Sequence, residues 1–77
     1  MKNGLNAHNI VMYFNYHAKV KRLILEGRLV GYEFLDEYHG IQPVLILYFK
    51  DARPMPIREH RWEEYLPYIM KFEENRL

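Results

Sequence analysis

The sequence predicts an α+β fold: a single small domain over residues 1–77, with elements in the order α-β-β-β-α, a three-stranded antiparallel sheet in the order 1-2-3, and helices packed on it. Three observations carry this prediction. Val44 to Phe49 is a run of six residues without a polar break, rich in β-branched and aromatic types and bounded by Pro43 and Lys50. Such a run reads as a strand buried on both faces. Strand-like segments at Leu29–Asp36 and Arg53–Arg58 flank it at hairpin distance. The two ends of the chain carry apolar residues at helical spacing.

Asn3 or Asn6 is the expected N-cap of the first helix. The helix is expected to run to about Glu26, with cationic Lys21 and Arg22 in its last turns and Gly27 as a left-handed terminator. Ile10, Tyr13, Phe14, His17, Val20 and Ile24 make one stripe at 100° per residue, widened by Met12, Tyr16 and Leu23 on one flank. The polar face is narrow, so a second chain is the expected cover for the surplus. Lys21 interrupts the stripe and either snorkels or marks residues 18–25 as extended rather than helical.

In the first strand Val30, Tyr32 and Phe34 share one face and Leu29, Gly31, Glu33 and Leu35 the other. Residues 37–42 form a turn in which Gly40 supplies positive φ. Asp51-Ala52 connects tightly to the third strand, where Pro54 and Pro56 sit two residues apart. Their missing N–H groups lie on one side, which confines this strand to the edge of the sheet and blocks further pairing there. Any extension of the sheet must then pass through strand one. The last element opens at Glu59 or His60, with Trp62, Tyr65, Leu66, Ile69 and Phe72 at helical spacing. Pro67 predicts a kink, or a short turn followed by a second helix.

A chain of 77 residues with no cysteine has neither a disulfide nor a thiolate metal site to support its core. Small domains of this kind often gain stability by oligomerising. Seven Tyr, four Phe and one Trp are a large aromatic share for this length, and such residues are favoured at interfaces. Lys2, Asn3 and Asn6 precede an apolar run at Ile10–Phe14 too short for a secretory h-region. No run reaches the ~18 apolar residues of a membrane span. The expected location is the cytoplasm, without a membrane partner.

Phosphate-binding glycine loops, nucleophile elbows and HExxH are absent. His8 and His17 fall on opposite sides of a helix, and His39 and His60 have no second ligand at a recognised spacing, so no metal site and no cofactor is expected. Glu33, Asp36 and Glu37 cluster near His39 but lack the lysine that a hydrolytic site of this kind would use. No catalytic residue is assigned, and the expected protein is not an enzyme.

Two binding readings remain. The first is a small regulatory protein acting through protein–protein contacts as a homodimer, with Met12, Tyr16 and Leu23 at the interface and any further protein partner unidentified. The alternative is a nucleic-acid-binding regulator that uses Lys19, Arg22 and Arg28. Residues 1–31 hold five cations against Glu26 alone, a local charge of +4 in a chain of net +1. Cations near a helix C-terminus are also favourable without a ligand.

Overall fold

The computed structural model describes residues 15–76. Helix α1 covers residues 15–25, so residues 18–25 are helical rather than extended. Its expected N-caps, Asn3 and Asn6, lie outside the described residues. Strands β1 (Leu29–Leu35), β2 (Val44–Phe49) and β3 (Met55–Arg58) form one antiparallel sheet in the order β1-β2-β3. A single 3-10 turn at Glu59–Arg61 leads into helix α2 (Trp62–Arg76). The predicted α-β-β-β-α domain is thus the observed one. Among the described residues no helix is long and apolar enough to cross a membrane.

Helix α1 ends as the sequence requires. Gly27 adopts φ 77°, its N–H donates to Ile24 O at 3.0 Å, and Arg28 N–H donates to Leu23 O at 3.1 Å. That pair of bonds satisfies the last carbonyls and turns the chain out of the helix. The hairpin between β1 and β2 is closed by Tyr38 and Ile41, whose N–H and C=O groups exchange bonds of 3.0 Å. Between them His39 and Gly40 have φ 51° and 86°. Two successive positive φ values give a turn whose twist matches the flanking strands. Glu37 adds an acceptor for the Gly40 N–H at 2.7 Å.

Both helices lie on the same face of the sheet. Leu45, Leu47 and Phe49 of β2 share a core with Val20 and Leu23 of α1, Met55 and Ile57 of β3, and Tyr65 and Ile69 of α2. Leu45, Leu47, Ile57 and Val20 are completely buried; each contributes roughly 1.5–3 kcal/mol by removal from water. Val44 and Ile46 alternate with these residues and are buried on the opposite face. Among the described residues of α1, Val20 and Leu23 are absorbed by this core, while Leu25 is exposed.

Two details depart from expectation. A bulge between Leu29 and Gly31 adds one residue to β1, so Leu29 pairs with Phe49 and joins Tyr32 and Phe34 on the helix-facing side. Val30 is the displaced residue and is 59% exposed. Pro67 neither starts a second helix nor splits the last one: α2 continues through it to Arg76. It deprives only the Glu63 carbonyl of its partner, and both residues are exposed, where water replaces that bond.

Candidate functional site

The sheet has two edges, and the sequence builds them differently. On the β3 side Pro56 pairs with Ile46. Having no N–H, Pro56 occupies a pair that makes no ladder bonds, so its carbonyl is directed away from β2. The Tyr16 hydroxyl donates to that carbonyl at 2.8 Å. Burial, assisted by Tyr38, pushes the Tyr16 hydroxyl up to about 12, which keeps it a neutral donor. Pro54 immediately precedes the strand and lies outside its paired register.

On the β1 side the same alternation has the opposite result. Since Ile46 turns its backbone groups away from β3, it turns them toward Glu33, its partner on β1. Tyr32 and Phe34 then direct their N–H and C=O groups outward. No strand pairs with them among the described residues. Phe34 is 48% exposed and meets the Trp62 ring edge-on at 5.0 Å. Trp62 is fixed by its indole N–H, which donates to Ile57 O at 2.9 Å. Leu66 and Met70 follow Trp62 at one-turn intervals on α2 and are exposed as well. Tyr32 is held by the Phe72 ring and by a hydrogen bond from its hydroxyl to Glu73, which raises the hydroxyl above its ordinary value.

Of the residues expected at a protein interface, Tyr16 and Leu23 line one groove beside α1. Met12 lies outside the described residues. Leu23 is 3% exposed and belongs to the core, with only its outermost atoms at the groove. Tyr16 is half-buried and its hydroxyl is committed to Pro56. Among the described residues the exposed large aromatic is Phe34, which the strand pattern placed on the face shared with Tyr32 without revealing that it lies at an edge strand and only partly under α2.

The basic candidates come together. Lys19, Arg22 and Arg28 line one groove between α1 and the β2–β3 connection, and Arg53 joins them from that connection. Their roles differ. Arg28 donates from Nε and Nη2 to Lys50 O at 3.1 and 2.9 Å, from Nη2 to Asp51 O at 2.8 Å, and from Nη1 to Glu26 at 3.4 Å. It is a structural clamp. Lys19, Arg22 and Arg53 are exposed at the groove.

His17, the histidine in the apolar stripe, is buried and shares a 2.6 Å hydrogen bond between Nδ1 and the Tyr65 hydroxyl. Burial first, then the Arg61 guanidinium, lowers its affinity for a proton, and burial raises the Tyr65 hydroxyl. Lys21 does not break the stripe: it reaches over the Tyr65 ring at 5.6 Å and donates to Glu64 at 2.8 Å. Arg61 donates to the same carboxylate, including a bond of 3.0 Å from Nη2, and these two partners hold Glu64 down at about 2. The group clasps α1 to α2. Of the hairpin carboxylates, Glu33 accepts from the Tyr48 hydroxyl at 2.8 Å and Glu37 from the turn, so each serves a separate local bond. Among the described residues no three ligating side chains converge on a metal position. Compared with known proteins, the chain matches no family model, no curated protein and no solved structure.

Proposed function

We propose that this protein acts by binding protein, first of all a second copy of itself, through the open edge of β1. One observation carries the reading: the outward backbone groups of Tyr32 and Phe34 are unpaired among the described residues, and the Phe34 ring beside them is half-exposed. An unpaired edge is a template for another strand. A two-fold antiparallel pairing centred on Phe34 sets Phe34 of one copy against Phe34 of the other. It brings Glu33 opposite Leu35 and Tyr32 opposite Asp36. No carboxylate then faces a carboxylate, whereas a centre at Glu33 would oppose two like charges. The resulting six-stranded sheet has only proline-blocked edges.

Light scattering and sedimentation of the purified chain test this. A dimer is expected at ~100 µM, a concentration that detects association stronger than roughly −5.5 kcal/mol. Phe34→Pro removes the outward amide without touching the bonds to β2 and should yield a folded monomer; Phe34→Ala removes the ring alone and should weaken the dimer less. A wild-type monomer at that concentration would refute the proposal, as would a Phe34→Pro variant that remains dimeric.

A further inference from the structure

We infer that the groove between α1 and the β2–β3 connection binds the phosphates of a nucleic-acid single strand through Lys19, Arg22 and Arg53. Lys19 and Arg22 are three residues apart on α1 and therefore neighbours on its surface. Arg53 reaches the groove from a part of the chain thirty-one residues further on. All three are exposed, and among the described residues none of them takes part in an ion pair. The lining holds four cations, Lys19, Arg22, Arg28 and Arg53, against two carboxylates, Glu26 and Asp51, and an anionic ligand is attracted to the surplus. Two of the three are arginines, whose planar forks match phosphate oxygens.

The groove also contains its own positioning device. Asp51 stands at φ 59° in the connection that carries Arg53, and Arg28 grips that connection by the Lys50 and Asp51 carbonyls. Arg28 thus sets where Arg53 stands and spends its own donors doing so. Of the two carboxylates lining the groove, Glu26 and Asp51, the first is paired with Arg28. The groove encloses about 1150 Å³, above the ~300–1,000 Å³ of pockets that take small molecules. Buried Leu23 and Met55 and half-buried Tyr16 supply its apolar lining, and the Tyr16 hydroxyl is already engaged by Pro56. An open groove lined by cations from two separate elements suits an anionic backbone that runs through it, and a single strand adapts to such a groove more readily than a rigid duplex.

The test is fluorescence anisotropy with labelled single-stranded oligonucleotides, RNA and DNA in separate arms, a duplex in a third and polyglutamate as competitor. Binding is expected at ~50 mM salt, with a log–log salt slope of about −2 for three phosphate contacts. The combined variant Lys19→Gln, Arg22→Gln, Arg53→Gln should lose roughly tenfold or more in affinity and flatten the slope, with an unchanged circular dichroism spectrum. Lys71→Gln, away from the groove, should bind as wild type. Phe34→Pro should also bind, which separates this site from the proposed dimer edge. The inference is overturned by absence of binding at ~50 mM salt, by full binding of the triple variant, or by polyglutamate competing as well as the oligonucleotide, which would assign the groove to an acidic protein segment.

Discussion

The two edges of this sheet are made from the same backbone, yet one is closed twice over and the other is left open. The β3 edge lacks an amide at Pro56, with Pro54 just before the strand, and its outward Pro56 carbonyl already has a donor in Tyr16. The β1 edge keeps its outward amides and sets an exposed phenylalanine beside them. The difference shows that closure here is chemical rather than steric. Residue type at alternate positions decides which side of the sheet can accept a strand, and the helices decide only which face is covered.

The strongest test of this contrast uses one substitution at two neighbouring positions. The Glu33 amide points into the ladder with β2, while the Phe34 amide points out of it. Glu33→Pro should therefore remove a ladder bond and cost about 1–3 kcal/mol of folding stability, readable by urea denaturation. Phe34→Pro should leave the fold standing and act on association. If the two prolines destabilise equally, the assignment of inward and outward amides is wrong. A smaller effect is expected on the closed side. Tyr16→Phe removes one hydrogen bond to a carbonyl and should cost about 1 kcal/mol without opening that edge, because the prolines remain. New higher-order association in Tyr16→Phe would show that the hydroxyl, rather than the prolines, keeps the edge shut.

The smallest expected effect lies between the helices, away from both edges. His17 faces Tyr65 and lies within the field of Arg61, Lys21 and His60, with Glu64 opposing them. Its proton affinity is lowered by folding, so the unfolded chain binds the proton more readily. The stability it carries is complete above the unfolded value of ~6.5 and is lost as pH falls through the lower folded value. Glu64 behaves in the same direction further down: its contribution is present above its ordinary value of 4.5 and is lost as pH falls toward about 2. Melting temperatures measured from pH 7 to pH 5 should decline, and His17→Gln should decline less over that window. An identical decline in the variant would remove His17 as its source.

Much of this architecture was legible in the residues. Alternate prolines identify the closed edge, Gly27 ends α1, Gly40 marks the turn, and the unbroken Val44–Phe49 run occupies the centre. What was not legible shares one cause: it depends on how elements meet. The sequence Leu29-Val30-Gly31 alternates acceptably in either phase, and the bulge appears only once β1 is laid against β2. Leu23 lies on the flank of the α1 stripe, a position that reads as surface until both helices are known to share one side of the sheet. Arg28 looked like its basic neighbours, and only the carbonyls of residues twenty-two positions or more away reveal it as a clamp. Arg53 gave no signal, because nothing in its local pattern ties it to α1.

The Arg28 clamp also bears on how the molecule opens. The Lys50 amide donates to the Arg28 carbonyl at 2.9 Å while the Arg28 side chain donates back to Lys50 and Asp51. The exit of α1 and the turn after β2 are thereby tied in a closed circuit of bonds. Neither corner can fray alone, because loosening one strips partners from the other. Two loops distant in the chain become one cooperative unit for amide exchange, and such units tend to open together. A domain with few covalent or metal restraints thus gains a corner that yields only as a whole.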